Sequence, residues 1–194
     1  MKFNQPEGST PLNPDSQKDL IPALSTQEEL NSFEQYNIVS ATEWATGNSR
    51  MKKKLLTLEG LKQLHKEMFN QTWKWAGKFR TINTNIGVSW DSISSKLKEL
   101  CDDVAYWIEN DIYSLDEIAV RFHYRLVFIH PFPNGNGRHA RLAADVFLIH
   151  RNLPRLTWGS KSILEKGEVR SSYIKALQAA DAGDFEPILK FVHS

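Results

Sequence analysis

The chain predicts an all-α helical bundle that carries one small β-hairpin. Three observations lead there. Apolar residues recur at helical spacing along most of the sequence. Helix-starting Ser, Thr and Asp residues and helix-stopping Gly, Asn and Pro residues bracket those stretches. One segment alone, Gly77 to Trp90, changes to β-branched and aromatic residues set among Asn and Gly.

Residues 1–24 hold Pro6, Pro11, Pro14 and Pro22 with few large apolar groups, and read as an extended N-terminal arm. Ser25 and Glu28 stand at capping-box spacing and open a helix over about 25–45. Its Leu30, Phe33, Ile38, Ala41 and Trp44 follow helical spacing, and Gly47-Asn48-Ser49 ends it. A second helix runs from about Leu58 to Phe69, carrying Leu61, Leu64, His65 and Met68. The run Gly77-Lys78-Phe79-Arg80-Thr81-Ile82-Asn83-Thr84-Asn85-Ile86-Gly87-Val88 suggests the hairpin. Helices resume with Ile93, Leu97, Leu100, Val104 and Trp107. Ser114 or Asp116 starts the next, whose stripe is Leu115, Ile118, Ala119, Phe122, Leu126 and Ile129. Pro131 and Pro133 stop it, since proline has no N–H and disfavours helical geometry before it. Leu142, Ala143, Val146 and Phe147 mark another helix up to Asn152, and Val169, Tyr173, Ala176, Leu177 and Ala180 mark one more. Gly183-Asp184 gives a turn before a last short helix with Ile188, Leu189 and Val192. Residues 25–194 read as one domain, and no internal repeat is present.

With 41% apolar and 24% charged residues among 194, the composition is that of a water-soluble globular domain. The net charge of +1 and the absence of long basic runs give no support to nucleic-acid coating. A single cysteine, Cys101, rules out an intrachain disulfide, and Asp102 and Asp103 beside it do not favour a reactive thiolate. Met1 to Asn13 lacks the apolar run of a signal peptide, and no apolar stretch is long enough to span a bilayer. The expectation is a cytoplasmic protein with no membrane and no nucleic-acid partner; oligomeric state is not legible.

The chemistry concentrates in His130-Pro131-Phe132-Pro133-Asn134-Gly135-Asn136-Gly137-Arg138-His139-Ala140-Arg141. Gly135, Asn136 and Gly137 lead into a helix N-terminus, where free N–H groups and the helix dipole favour an anion. Arg138 and Arg141 lie one turn apart on that helix, suited to phosphate oxygens. His130 ends the preceding helix, and an imidazole of ordinary pKa ~6.5 suits proton abstraction from an incoming hydroxyl. Taken singly, a histidine before proline is most often a helix cap, and a lone Gly-Asn-Gly is most often a turn.

Together these residues resemble the Fic/Doc (fido) family, whose motif reads H-x-F-x-[D/E]-G-N-G-R-x-x-R. His130, Phe132, Gly135, Asn136, Gly137, Arg138 and Arg141 match it, and Arg121-Phe122-His123-Tyr124-Arg125-Leu126-Val127 leads into it. The resemblance spans roughly residues 25–192. Trp73-Lys74-Trp75-Ala76-Gly77 and Asn85-Ile86-Gly87-Val88 look like the subgroup called mobile mystery protein B. The resemblance implies a Fic fold with a β-hairpin flap and transfer of AMP from ATP to a Ser, Thr or Tyr hydroxyl of a target protein. It implies His130 as general base and Phe132 as anchor of the loop. Gly135, Asn136 and Gly137 would bind the α- and β-phosphates, with Arg138 and Arg141 on the outer phosphates. Asn134 departs from the family's acidic ligand for Mg²⁺ (or Mn²⁺) and brings an oxygen without negative charge.

The hairpin residues Thr84, Asn85, Ile86, Gly87 and Val88 would form the flap that docks the target by strand addition. Relatives carry an inhibitory helix with [S/T]-x-x-x-E-[G/N], whose glutamate pairs with the second motif arginine. Neither candidate here matches fully. Glu34 shares the inward stripe of Leu30, Phe33, Ile38 and Ala41, so its carboxylate needs a partner, and Arg141 is the expected one. Glu29 is the alternative, four residues after Ser25. A local hydrogen bond is the plainer role for Glu34. Trp73, Trp75, Phe79 and Trp107 read as core before base stackers, His123 reads as a hydrogen-bonded core histidine, and His65, His139 and His150 lack zinc-ligand spacing. Two rival functions stay open: transfer of another phosphate-containing group, and a nucleotide- or target-binding module left weak in catalysis by Asn134.

Overall fold

The computed structural model describes residues 18–160 and 166–194. Residues 1–17 of the expected arm, and 161–165 of the loop after Trp158-Gly159, lie outside the described residues.

Helix α1, Gln27–Gly47, opens on Thr26 rather than Ser25. Thr26 Oγ1 accepts the Glu29 N–H at 3.1 Å, and the Glu29 carboxylate accepts from Ser25 N and Thr26 N at 2.7 and 2.9 Å. The capping box keeps its spacing but moves one residue on, because only this register lets one carboxylate satisfy two N–H groups. After Asn48 the chain restarts at once as α2, Ser49–Lys54, a short basic helix that its apolar pattern did not reveal since only Met51 is buried. Helix α3, Leu58–Phe69, is capped by Thr57 and buries Leu61, Leu64, His65, Met68 and Phe69 on one face.

The expected β-hairpin is absent. Among the described residues there is no β-strand, only an isolated antiparallel bridge between Leu20 and Trp73. The reason lies in where the backbone groups of residues 80–88 find partners. Arg80 N donates to Pro131 O at 2.9 Å and Val88 N to Ile129 O at 3.3 Å, so both ends bond the α5–α6 connection rather than each other. The Arg80 guanidinium then fills the space between them, donating to Ile82 O at 2.9 Å and to Val88 O. A side chain occupies the place a strand ladder would take.

A 3₁₀ turn, Trp90–Ser92, leads into α4, Ile93–Glu109, and α5, Leu115–Ile129, follows with Ser114 Oγ accepting the Glu117 N–H. Helix α6, Asn136–Ile149, is central: it packs on α5, α1 and α3. Ala140, Ala143, Ala144, Val146, Phe147 and Leu148 are all inaccessible, so beyond its polar first turn α6 is buried on every side except a half-buried stripe of Arg141, Asp145 and Ile149. Burying a side chain the size of Phe147 contributes about 1.5–3 kcal/mol, so α6 is fixed firmly and its first turn with it. Helices α7, Lys166–Asp181, and α8, Glu186–Val192, pack on each other, and α8 also meets α5. No described helix is long and apolar enough to cross a membrane.

Candidate active site

His130 is the C-cap of α5 and adopts a left-handed conformation, φ 54° and ψ 59°, which costs a non-glycine residue energy and is kept only where surroundings enforce it. Its Nδ1 lies 3.3 Å from Val127 O. A carbonyl only accepts, so Nδ1 carries the hydrogen and Nε2 carries the lone pair. Burial holds the ring's pKa down at about 4, with a smaller downward push from the Arg80 charge, so it is neutral at pH 7 and able to take a proton.

Three anchors shape the loop that follows. Phe132 is inaccessible and stacks on His65 with ring centroids 3.7 Å apart, with His139 against its edge. Asn136 braces the same residue twice, accepting Phe132 N–H and donating to Phe132 O, both at 2.8 Å. Its side chain is thereby committed to the loop, which leaves its backbone N–H as the group it can offer an anion. His65 accepts the Gly77 N–H on Nδ1 at 2.9 Å, which fixes its tautomer, so Nε2–H donates to Asn134 O at 3.1 Å. Burial, with His139 and Arg138 nearby, pushes its pKa well down, and it serves as a neutral bridge.

Gly135, the N-cap of α6, sits at φ 77°, and a Cβ there would meet the Phe69 ring at 2.6 Å. Glycine is required on both counts. Because that residue brings no side chain, the helix has no side-chain cap, and the N–H groups of its first turn are the kind a helix start offers an anion.

Asn134 Oδ1 accepts the Gly135 N–H at 2.7 Å, while its main-chain oxygen meets His65. Both oxygens already accept a hydrogen bond, the residue has no negative charge, and no group of three or more His, Cys, Asp or Glu side chains that could hold a metal occurs among the described residues. The donor set does not fit a protein-held Mg²⁺ or Mn²⁺.

The two arginines have different surroundings. Arg138 is part-exposed, with its guanidinium 4.9 Å from the centre of the Phe69 ring. Arg141 lies deeper, 5.6 Å from the Tyr173 ring, and burial followed by the neighbouring Arg138 and Arg170 charges lowers its pKa. Glu34, 6% exposed, points from α1 into the site, but its partner is Arg138 rather than Arg141: Oε2 accepts from Nη1 at 2.7 Å. Its Oε1 accepts the Trp73 indole N–H at 2.6 Å. Arg138 is in the first turn of α6 and faces α1, whereas Arg141 is a turn further along against α7. Glu29 is occupied by the α1 cap.

Of the expected flap, Asn85, Ile86 and Gly87 are exposed, Thr84 and Val88 half-buried. A Cβ on Gly87, φ 100°, would come within 2.6 Å of His130 Cβ, so this loop lies directly on the histidine. Trp73 is buried and stacks on Trp75 with centroids 5.1 Å apart, His123 is buried with Nε2 3.0 Å from Tyr173 Oη, and burial pushes the Cys101 thiol up to about 11. Sequence reasoning missed Arg80, which is 3% exposed with its Nε donating to His130 O at 2.7 Å. A signal was present: no acidic residue occurs between Lys74 and Trp90, so an inward arginine there had only backbone to bond. Trp73 as the second donor to Glu34, and His65 as a bridge, were missed too.

Residues 55–148 match the family model described as the Fic/DOC family. Among curated proteins, the chain is 28% identical over 145 residues to a protein adenylyltransferase, fic-1, of Caenorhabditis elegans, covering 71% of this chain and 26% of that one. It is 24% identical over 174 residues to a protein adenylyltransferase Fic of Nematostella vectensis, covering 88% of this chain and 39% of the relative. The chain thus spans well under half the length of these curated relatives. Among solved structures, a Fic-domain-containing signalling protein of Bacteroides thetaiotaomicron superposes with a TM-score of 0.69 at 20% identity, covering 89% of this chain and 70% of that one. The Fic-1 fragment of C. elegans gives 0.67 at 24%, covering 91% and 51%.

Proposed function

Since residues 55–148 match the Fic/DOC family model, we propose that this protein is a protein adenylyltransferase that moves AMP from ATP to a Ser, Thr or Tyr hydroxyl of a target protein. The observation that carries the reading is the juxtaposition at the α5–α6 connection. A neutral histidine, with Nδ1 tied to its own helix, stands beside a glycine-started helix N-terminus with two arginines on the following turns. The adenylyltransferase names of the curated relatives support it, and a structure of the same fold, BepC of Bartonella tribocorum, holds AMPPNP, with a TM-score of 0.65 at 18% identity over 88% of this chain.

In this reading the α6 N–H groups and Arg138 and Arg141 hold the phosphates. The target oxygen bonds the α-phosphorus, the bond to pyrophosphate breaks, and His130 Nε2 takes the hydroxyl proton. Pyrophosphate leaves toward the arginines. Asn134 does not fit a protein-held metal, so a cation arriving with ATP would be held by phosphate oxygens. Glu34 serves as an internal brake: by occupying Arg138 it withholds one of the two phosphate-binding guanidiniums.

Incubation with labelled ATP and cell lysate, read by mass spectrometry, tests the reading. An adenylyl gain that disappears in His130→Ala is the expected result. Nucleotide binding with no transfer under Mg²⁺ or Mn²⁺, even in Glu34→Gly, would instead support the second reading, a nucleotide-binding module, which the missing carboxylate at Asn134 favours.

A further inference from the structure

We propose that Arg80 is a positioning residue that holds the base and the target-facing loop as one unit. The inference rests on the adenylyl-transfer reading of the site. Every acceptor of its guanidinium is a main-chain oxygen: His130 O from Nε at 2.7 Å, Ile82 O from Nη1 at 2.9 Å, and Val88 O and, more distantly at 3.5 Å, Ile129 O from Nη2. Those oxygens belong to two places that have no ladder between them, the α5 terminus with the histidine and both ends of residues 82–88. The planar fork spans them where lysine's single ammonium cannot.

A buried cation with no carboxylate against it among the described residues is a costly choice for a merely structural tie, which an apolar contact would supply with less penalty. The arrangement gains two things. It holds the His130 carbonyl, and with it the left-handed backbone that aims the ring. It also pins the ends of a loop whose middle, Asn85 to Gly87, remains exposed, with Gly87 resting on His130 Cβ. A target segment lying on that loop is therefore registered against Nε2 through Arg80. The phosphates are held elsewhere, at α6, so nucleotide affinity does not depend on this residue.

The test compares wild type with Arg80→Lys, which keeps the charge and the aliphatic stem, and Arg80→Gln. For Arg80→Lys the expectation is a fall in kcat of about tenfold or more, as for a catalytic group displaced from its productive position by a fraction of an ångström. KM for the target should rise while ATP affinity by calorimetry stays within about twofold of wild type. An NMR cross-peak between Gly87 Hα and His130 Hβ should be present in wild type and weakened or lost in both variants. That readout needs no turnover, so a wild type without transfer activity removes the catalytic reading and leaves this one still decided by the cross-peak. A folded Arg80→Lys protein with the cross-peak intact and unchanged kcat overturns the proposal. So does equal loss of ATP affinity, which would mark a general collapse of the site; where Arg80→Gln does not fold, Arg80→Lys alone decides.

Discussion

Replacing Glu34 by glutamine isolates the charge of the proposed brake. The amide keeps the length of the side chain and can still accept the Trp73 N–H, so α1 stays seated while the attraction to Arg138 disappears. Two unit charges about 4 Å apart attract by ~4 kcal/mol at an effective dielectric of 20 and ~1 kcal/mol in water. Arg138 is 33% exposed, so solvent screening argues for the lower half of that range. Desolvation of the Glu34 carboxylate, 8% exposed at its side chain, offsets part of it. About 1–2 kcal/mol of competition remains, which is roughly 5- to 30-fold in the dissociation constant of ATP. Calorimetric titration of ATP into wild type and Glu34→Gln measures it directly. In an Arg138→Ala background the same substitution should change nothing, because the competitor has lost its object. Equal ATP affinity in the two single-background proteins would refute the reasoning: Glu34 would then be only a packing device for α1, whatever its distance to Arg138.

Asn134→Asp should restore a carboxylate at the loop and raise Mg²⁺-dependent transfer, measured as the ratio of rates with and without the metal; an unchanged ratio would show that the position has no bearing on the cation. Gly135→Ala meets both a positive φ and the Phe69 ring, and should lower stability by about 1–3 kcal/mol and weaken ATP binding, whereas Gly137→Ala, with open space around it, should leave the melting temperature nearly unchanged. Acid should also unfold the protein early. His65 is held well down, and His123, His130 and His139 titrate at about 3, 4 and 4 in the fold, against ~6.5 in an unfolded chain. The unfolded state therefore binds more protons below pH ~6.5, so stability is full above that pH and falls as pH drops toward 4. Asp145, raised by burial to about 6, works in the opposite sense from about pH 6 downward and offsets about one histidine. At one pH unit below 6.5, His123, His130 and His139 less the Asp145 offset give a net loss of about 3 kcal/mol, at ~1.4 kcal/mol per histidine per unit, and His65 adds to it. A melting temperature that is flat from pH 7 to 5 would contradict it.

The helices were legible because their apolar spacing and their caps agree, as at α3, where Thr57 precedes a stripe of Leu61, Leu64, His65 and Met68 that is buried as expected. The loop from His130 to Arg141 was legible because its glycines, arginines and histidine are informative only in that order. Three features were hidden, each set by contacts distant in sequence. The segment at 81–88 has strand-like composition, yet the backbone at its two edges, Arg80 and Val88, bonds Pro131 and Ile129 about forty to fifty residues away, and the buried Arg80 side chain reinforces that choice. Glu34's inward position followed from its stripe, but the choice of Arg138 over Arg141 depends on which turn of α6 faces α1. The basic helix α2 has too little apolar surface to leave a periodic trace.

The Glu34–Arg138 pair joins positions 104 residues apart, with the carboxylate first in the chain. At ordinary translation speeds of ~5–20 residues per second, α1 precedes α6 out of the ribosome by roughly 5–20 s. The guanidinium is therefore born into a molecule that already holds its counter-charge, and the nascent domain passes through no stage in which Arg138 exists and Glu34 does not. A brake placed after α6 would leave such an interval; this one closes it by order of synthesis alone.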